Sequence, residues 1–529
     1  MRIVCFLLGF LAAPLAAQHH HADRAADADP VPLYANLGRQ HRAVTTSSAL
    51  AQQYFDQGLR LTYGFGHPEA IRSFREAIRQ DSTCAMCWWG VAWAMGPYIN
   101  ATMDSASGVE AWTAVREAVR YGKRATPAER ALIDAMAARY VRIPDEKSRA
   151  LLDSAYAGAM RGVVHRFPDD LDAATLFAEA LMVLRPWDQW TRDGKPRPGT
   201  EEVLSVLESV LARDISHPGA CHLYIHATEA SADPGRAALC ADRLAAQIPG
   251  ASHIQHMPSH TYMRIGRYGD GVRTNLAAWH VDQQAAFGGP PGIYPTHNLH
   301  MLLFAATMDG QSAIAIQAAR DLARISPAAA FYPDMALARF GRWEELREQT
   351  GDPADSLHLG VRRFARGVAW IRGDSMARAE AELAALDSLI AATGDSATFR
   401  GHKRADLLAL GRGILAGELY AARGHPEEAI LAPQAALPHE DSLDYDEPEP
   451  WMIPVRHVLG AVLLKSGDAA RAEAVYRDEL RDHPANGWSL FGLEAALRAQ
   501  GRLDEAADTH RRFEAAWARS DLWIRGSRF

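Results

Sequence analysis

The stretch LTYGFGHPEAIRSFREAIRQD, at positions 61–81, contains the pattern that decides the fold. An apolar helical run reaches a glycine turn, and a second helical run opens with proline, glutamate and alanine. Glycine suits the end of the first helix because it takes a left-handed conformation without strain. Alanine lets the two backbones approach closely, and Phe74, a turn later, fills the groove between them. We therefore expect a helical hairpin here.

The same pattern recurs along most of the chain. It returns as LYAARGHPEEAILAPQAAL (419–437), LLKSGDAARAEAVYRDEL (463–480) and LRAQGRLDEAADTHRRFEAAW (497–517). The turn glycines Gly467 and Gly501 are 34 positions apart, which is the period of tetratricopeptide repeats. Such hairpins bury their apolar faces only by stacking on their neighbours. The recurrence favours a repeat array over an all-helical enzyme bundle.

The predicted architecture is an all-α superhelical array of tetratricopeptide-like hairpins, an α-solenoid, over residues 32–529. Two stretches rich in proline, glycine and charge interrupt the repeats near 184–202 and 438–451, and we expect both to be loops. The second contains Asp446, Glu447 and Glu449. For these three acids a solvated loop is favoured over a cation site.

The N-terminus is typical of a secretory signal peptide. Residues 1–17, MRIVCFLLGFLAAPLAA, combine one arginine, an apolar core and small residues at the end. The polar stretch 18–31 that follows is predicted to be disordered. The apolar run is too short to span a bilayer comfortably, and no later segment is long enough. The sequence therefore predicts an exported protein, periplasmic or extracellular, with no transmembrane segment after cleavage.

Charge and cysteine usage narrow the partners and cofactors. The net charge of -8 argues against nucleic acid as a partner, because phosphate binding needs a basic face. Cleavage leaves Cys84, Cys87, Cys221 and Cys240, which suit two disulfides in an oxidising compartment. We expect the pairs Cys84–Cys87 and Cys221–Cys240, and a four-thiolate zinc site is the less favoured alternative. Trp88 stands where c-type haem attachment would need histidine.

Several phrases together carry a resemblance to a known family. They are CAMCWWGVAWAMGPYIN (84–100), HLYIHATEAS (222–231), HMPSHTYMRIGRY (256–268), YPTHNLHMLLFAATMDG (294–310) and YDEPEPWMIPVRHVLGAVLL (445–464). In combination they resemble a family of exported bacterial tetratricopeptide repeat proteins, from about Leu33 onward. A fainter likeness extends to a eukaryotic cytosolic tetratricopeptide protein. The resemblance implies the fold and implies no established reaction.

Histidines concentrate in the middle of the chain. HLYIHATE (222–229) places His222, His226 and Glu229 on one helix face. Two imidazoles one turn apart can bind one metal ion, and a carboxylate a turn further is a third ligand or a general base. His253, His256 and His260 follow in SHIQHMPSHTY, and His297 and His300 in THNLH.

These three stretches are expected to be the first helices of three consecutive hairpins. First helices line the concave surface of a tetratricopeptide array, so the histidines are expected to converge in one groove. The candidate metal ligands are His222, His226, His253, His256, His260, His297 and His300, for a divalent transition metal such as zinc or copper. The alternative is structural, with each imidazole bonded to a backbone carbonyl or a tyrosine hydroxyl.

Two classes of function remain open from the sequence. The favoured class is a binding scaffold whose concave groove, with a central histidine-rich pocket, holds a partner protein, a peptide or a small ligand. The alternative is a metal-dependent enzyme, for example a hydrolase, with histidine ligands and Glu229 as the catalytic base. Convergence of the histidine side chains within a few ångströms is what the enzyme hypothesis requires.

Overall fold

A computed structural model describes residues 31–142 and 146–528. The predicted signal peptide and positions 18–30 lie outside the described residues. Within them the chain folds into 25 α-helices and one two-stranded antiparallel pair, so the fold is all-α as predicted. In the strand pair, β1 (Thr398–Phe399) and β2 (His402–Lys403) place Thr398 opposite Lys403.

Most helices follow one another with short connections and pack against their successors, whereas α10 packs against α12. The first twelve are α1 (Ala49–Tyr63), α2 (His67–Gln80), α3 (Ala85–Ala94), α4 (Ser105–Tyr121), α5 (Pro127–Ala137), α6 (Glu146–Arg166), α7 (Leu171–Val183), α8 (Thr200–Leu211), α9 (Pro218–Thr228), α10 (Ala238–Leu244), α11 (Ser252–His256) and α12 (Pro258–Arg264).

The remaining thirteen helices continue the array to the C-terminus. They are α13 (Tyr268–Gln284), α14 (Pro295–Met308), α15 (Ser312–Ile325), α16 (Tyr332–Arg339), α17 (Trp343–Glu348), α18 (Ser356–Arg372), α19 (Met376–Ala392), α20 (Arg404–Arg423), α21 (Pro426–Ser442), α22 (Val455–Lys465), α23 (Ala469–Asp482), α24 (Gly487–Ala499) and α25 (Leu503–Trp517).

The turns between helices contain a residue with a left-handed backbone conformation, as the repeat pattern predicts. In two turns this residue is a neighbour of the glycine instead of the glycine itself. Gly424, Gly467 and Gly501 have φ values of 79°, 86° and 73°. In the quoted hairpin the left-handed residue is instead Phe65, between two glycines, with φ of 60°. After α18 it is Asp374, directly after Gly373, with φ of 56°. Glycine thus marks each turn, but its neighbour can take the strained position.

Two long connections without helix lie near the predicted loops, and three of their four boundaries differ from 184–202 and 438–451. The first spans 184–199, between α7 and α8. The second spans 443–454, because α21 continues through Pro438 to Ser442, five residues into the predicted loop. The helix tolerates Pro433 where Gly417 of α20 faces it and leaves room for the ring.

Apolar side chains form one large core in each half of the array and a smaller one at the end. The first core runs from Leu37 to Ile293, and the second from Tyr268 to Trp488. A third, around Tyr476, joins the last hairpins. Helices α9 to α14 therefore lie at the seam between the two large cores.

Both predicted disulfides are present. The sulfur atoms are 2.08 Å apart for Cys84–Cys87 and 2.22 Å apart for Cys221–Cys240. The second pair joins α9 to α10, next to the histidine-bearing part of the chain. Among the described residues, no helix has the length and apolar character needed to cross a membrane.

The last residues fold back onto the middle of the array. Both carboxylate oxygens of Asp521 accept hydrogen bonds from the first backbone N–H groups of α15, at 2.8 and 2.9 Å. Arg519 pairs with Asp309 at 2.6 Å, and the indole N–H of Trp488 donates to the carbonyl of Thr307 at 2.9 Å. The C-terminal segment therefore contacts α15 and the end of α14, where the second half of the array begins.

Candidate metal centre

Four helices at the seam present the predicted histidines to one buried region. Helix α9 carries His222 and His226, α11 carries His253 and His256, α12 carries His260, and α14 carries His297. Helices α9, α12 and α14 each begin with a proline, which suits the first helical turn. They form the first helices of three consecutive hairpins, and the first helix of the middle hairpin is divided into α11 and α12, which both pack against α13.

The histidines form two groups of three. In the first group, ring nitrogens of His222, His226 and His253 lie within 4.8 Å of one another. The Nε2 atoms of His222 and His253 are 3.2 Å apart. The ring of Phe65, the left-handed residue of the first hairpin, packs 4.2 Å from that of His222 and closes this side.

The second group consists of His256, His260 and His297, with the same spread of ring nitrogens. The Nε2 atom of His260 lies 2.7 Å from that of His256 and 3.4 Å from that of His297. The two groups are adjacent, since the His253 and His256 rings are 5.6 Å apart between centroids. The six predicted side chains therefore converge.

The hydrogen-bond network assigns the tautomer of His256, and the tautomer of His260 follows the protonation of Glu229. The amide nitrogen of Asn275 donates to the carbonyl of Gly271 at 2.8 Å, so its oxygen faces His256 Nδ1 at 2.7 Å and accepts from it. His260 Nδ1 contacts a carboxylate oxygen of Glu229. With Glu229 ionised, both rings carry their proton on Nδ1 and direct lone pairs at each other across 2.7 Å. A cation between them removes that repulsion.

Glu229 lies between the two groups and is fully buried. Its Oε1 accepts from His226 Nδ1 at 2.9 Å, and its Oε2 contacts His260 Nδ1. One carboxylate therefore orients a ring from each group, as carboxylates behind metal-bound histidines commonly do. This places Glu229 behind the imidazoles, on the side away from their Nε2 atoms.

Burial sets the charge states of the cluster. It lowers the pKa of His222 to about 3 and lowers the pKa values of His226, His253, His256 and His297 well below the usual range. Burial also raises the pKa of Glu229 to about 8, so without a bound cation Glu229 is mostly protonated at pH 7, and its ionised form is the one expected when a cation is bound. The imidazoles are therefore neutral at pH 7, which is the form that binds metal ions.

His300, the seventh predicted ligand, lies outside both groups. Its Nδ1 is 2.6 Å from a guanidinium nitrogen of Arg400, and its ring packs 4.5 Å from that of Tyr332. Arg400 also pairs with Asp446 of the 443–454 loop. The structure thus places His300 beside a cation, in a network that neighbours the cluster.

The acidic loop, for which a solvated surface was expected, contributes to the site instead. A carboxylate oxygen of Glu447 lies 3.4 Å from His260 Nδ1, and burial together with the charge of Glu229 raises the pKa of Glu447 well above its usual range. Glu229, His260 and Glu447 form a third group that could hold an ion. The acid-rich DYDEPEP phrase was the only sequence signal for this contribution.

A small cavity opens beside His260, under the 443–454 loop. Its volume is about 70 Å³. It is lined by His260, Met263, Arg264, Met301, Phe304, Tyr445, Asp446, Glu447, Pro448, Glu449, Asp482 and His483. Of the three histidines of the second group, His260 alone lines the cavity.

No protein-family model matches this chain, and no curated protein matches it. Among solved structures, the human IFIT1 dimer with m7Gppp-AAAA is similar at 12% identity, over 89% of this chain and 91% of that one, with a TM-score of 0.31. NprR in complex with its cognate peptide NprX is similar at 12% identity, over 67% and 86%, with a TM-score of 0.32. The P58(IPK) TPR domain is similar at 11% identity, over 85% and 98%, with a TM-score of 0.24. Scores at this level carry no information about what the present protein binds.

Proposed function

We propose that this protein is a tetratricopeptide-like array that binds two transition-metal ions, zinc or copper, in its two histidine groups. The observation that carries the proposal is the convergence of six neutral imidazoles, five of them buried and that of His297 half-buried, as two sets of three ring nitrogens. Neutral imidazole is the commonest protein ligand for such ions.

The distances within the groups support coordination. Metal–nitrogen bonds of about 2.0–2.1 Å put two nitrogens of a tetrahedral site about 3.3 Å apart. The Nε2 separations are 3.2 Å for His222–His253 and 3.4 Å for His260–His297. The 2.7 Å pair, His256–His260, needs to open by about half an ångström to admit an ion.

A metal-free arrangement of hydrogen bonds can also satisfy the ring nitrogens of His256 and His260. The test therefore has to distinguish bound metal from that arrangement. If Glu229 is protonated, it donates to His260 Nδ1, and the Nε2–H of His260 donates to His256. A purely structural role for this pair requires such a chain of protons. One nitrogen counts against it, because His226 Nε2 is buried with no hydrogen-bond partner among the described residues.

The experiment is elemental analysis of protein purified without a histidine tag or chelators. We expect two metal ions per chain. We expect one to be lost in the double variant His222→Ala/His226→Ala, and the other in His256→Ala/His260→Ala. His300→Gln is the matched control, because His300 is buried beside the cluster but belongs to neither group. Folded wild type that stays metal-free after incubation with Zn²⁺ and with copper would contradict the proposal.

A hydrolytic role for the metals remains the enzyme alternative. If the site activates water, Glu447 is better placed than Glu229 to act as its base. Glu447 lines the cavity, and its Oε1 has no hydrogen-bond partner among the described residues. Both oxygens of Glu229 already face histidine rings. Glu447→Gln would then remove hydrolysis of an activated ester while leaving metal content unchanged.

Export and scaffold function are further parts of the proposal. The two disulfides support an oxidising compartment, and recovery of the chain from the cytosolic fraction with four free thiols would contradict it.

A groove of about 490 Å³ beside Phe491 and Trp523 supports a binding role for a partner protein, peptide or small ligand. Photo-crosslinking from position 523 tests that role, and one recurrent adduct is the expected result.

A further inference from the structure

We propose that Trp187 controls the exchange of the metal ion in the first histidine group, that of His222, His226 and His253, with the solvent. The inference rests on the metal-binding function proposed above and adds to it a residue that sets how fast the ion enters and leaves. Three features of Trp187 carry it: its contact with His226, its exposure to solvent and its backbone conformation.

The ring of Trp187, in the 184–199 loop, packs against a histidine of the first group. It lies nearly perpendicular to the ring of His226, and the two centroids are 5.3 Å apart. His226 Nδ1 faces Glu229 at 2.9 Å, so Nε2 is the nitrogen left for a metal ion. That Nε2 atom is buried and has no hydrogen-bond partner among the described residues. Trp187 therefore covers a ring that offers a free ligand atom.

Trp187 differs from the other aromatic rings around this group in its exposure. Phe65 packs against all three histidines and is 4% exposed, whereas Trp187 is 45% exposed. Tyr294, which packs against His253, is half-buried. A single side chain, that of Trp187, thus meets both the solvent and the buried His226. An ion that passes on this side of the group has to displace it.

The backbone of Trp187 adopts a left-handed conformation, with φ of 59°. A bulky residue rarely takes this conformation, because its Cβ atom comes too close to the following carbonyl oxygen. Such strain persists only where the surrounding structure imposes it, and it clusters at binding sites and switch regions. The strain therefore marks Trp187 as a residue that the loop holds against His226.

Contacts on the C-terminal side of Trp187 hold the loop on the array. The neighbouring Asp188 pairs with Arg197, across the loop, at 2.7 Å. The indole N–H of Trp190 donates to the carbonyl of Ala227, in α9, at 2.8 Å. With the loop tied to α9 in this way, the side chain of Trp187 can turn away from the histidines while the loop stays attached.

The second histidine group has a different approach. His260 lines the small cavity under the 443–454 loop, and Trp187 does not line it. The two long loops touch each other where the guanidinium of Arg192 donates to the carbonyl of Leu443, at 3.4 Å. We therefore expect the ions of the two groups to exchange at different rates, and Trp187 to affect only the first.

The test measures the release of metal into an excess of a chromophoric chelator by stopped-flow absorbance. The protein is loaded with the ion that elemental analysis finds, Zn²⁺ or Cu²⁺. We expect Trp187→Ala to speed the release of one ion by about tenfold or more, because a gating side chain sets the rates of entry and release. The association rate should rise by the same factor, so that Kd stays within about threefold of wild type.

Four comparisons make the result specific. Trp187→Gly removes the ring and also relieves the left-handed backbone, so it should match Trp187→Ala if the ring is the barrier. Trp187→Phe keeps a ring and should stay close to wild type. Trp370→Ala removes a half-buried tryptophan from α18, which packs against α16, α17, α19 and α20, and should change neither rate. His256→Ala/His260→Ala retains only the first ion and should retain the accelerated phase when Trp187 is also replaced.

The outcomes separate this inference from the function on which it rests. If neither Zn²⁺ nor Cu²⁺ binds to the wild type, the metal-binding proposal fails, and this inference fails with it. If an ion binds and Trp187→Ala releases it at the wild-type rate, only the role of Trp187 is overturned. Faster release without faster association would also overturn that role, because Trp187 would then stabilise the bound state and would not be a barrier.

Discussion

At the residue scale, the centre depends on which ring nitrogen of each histidine carries the proton. The Nδ1 partners decide this: a backbone carbonyl for His222, Asn275 for His256, and Glu229 for His226 and His260. These groups do not touch the proposed ions, but they turn the Nε2 lone pairs inward. Changing a partner should therefore weaken metal binding without removing a ligand.

The first prediction concerns Glu229→Gln. A glutamine can accept from His226 with its oxygen, but its amide nitrogen then donates to His260 Nδ1 and drives the proton of that ring to Nε2. We expect metal affinity to fall by about 10–100-fold, the usual effect of losing such a partner. Competition with a chromophoric chelator measures it. An unchanged affinity would mean that Glu229 does not orient the rings.

The second prediction concerns a buried carboxylate away from the centre. Asp172 accepts hydrogen bonds from the Tyr63 hydroxyl at 2.6 Å and from Arg42 at 3.1 Å, and His217 Nε2 lies at 3.2 Å. Burial alone would raise the pKa of Asp172, but these partners hold it below its usual range. Its contribution to stability is therefore complete above the unfolded-state pKa of about 3.9 and is lost as pH falls further.

Asp172→Asn should lower the free energy of unfolding by about 3 kcal/mol at pH 7, because it leaves buried cationic and polar groups without their acceptor. Urea unfolding of both proteins measures the difference. We expect the difference to be constant above about pH 5 and to shrink below about pH 4. A difference independent of pH down to pH 3 would show that the charge of Asp172 is unimportant.

The site residues show how far sequence reasoning reaches at this scale. Helical spacing and hairpin order were enough to predict that six histidines from three hairpins meet. They could not predict that His300 leaves the group, because its partner Arg400 lies 100 residues further along the chain. Nor could they predict Glu447, whose loop reaches the site through tertiary folding alone.

At the scale of single elements, close packing between helices depends on glycines that face large rings. Tyr476 of α23 lies between Gly460 of α22 and Gly492 of α24. A Cβ atom at Gly492 would come within 2.1 Å of the tyrosine ring. The sequence pattern predicts a large side chain, such as Phe74, in the groove between hairpins. Tyr476 takes that place here, and two glycines form its groove.

The third prediction compares two glycine substitutions. Gly492→Ala should lower the free energy of unfolding by about 1–3 kcal/mol, since overpacking a dense core forces side chains from their rotamers. Gly162→Ala is the control, because Gly162 is exposed within α6 and a Cβ there meets nothing within 4 Å. It should stabilise by about 0.5–1 kcal/mol. Thermal unfolding checks both, and equal shifts in one direction would contradict this account.

The elements themselves were the most predictable part of the fold. A glycine turn followed by an alanine-rich amphipathic run is a local signal, and it identified the hairpins. The end of α21 was less predictable, because Pro438 and the acids after it favour a loop locally. Ion pairs of the last turn oppose that preference: His439 pairs with Asp406, and Arg456 pairs with Glu440 and Asp441.

At the scale of the whole molecule, the centre lies where the two large cores meet. Its ligands come from α9, α11, α12 and α14, and the cavity loop comes from between α21 and α22. Bound ions therefore connect parts of the chain that a repeat array otherwise joins only through nearest neighbours. Bound metal should therefore raise the free energy of unfolding of the whole array.

The fourth prediction follows from this arrangement. At a free metal concentration 100 times Kd, one ion bound only to the folded state adds about 2.7 kcal/mol to the free energy of unfolding. We expect dialysis against a chelator to lower Tm by several degrees, and replacement of the metal to restore it. The variant lacking all four of His222, His226, His256 and His260 should not respond.

The fifth prediction concerns the contact between the C-terminal segment and α15. No side chain of its own caps the start of α15, and Asp521 takes that role from 209 residues away. Asp521→Ala should cost about 1 kcal/mol, as for other N-cap losses. Asp508→Ala, at an exposed position on α25, is the control and should cost little. Equal effects would show that the long-range cap is unimportant.

That long-range contact has a consequence for how such a protein can change in length. An open solenoid can gain or lose a repeat by duplication or deletion, because each unit meets only its neighbours. Here the segment between α15 and Asp521 returns to its own start. One extra hairpin in that span would carry Asp521 away from α15, and one fewer would leave it short. The closure therefore fixes the number of repeats in the second half, as the number of blades is fixed in a closed propeller.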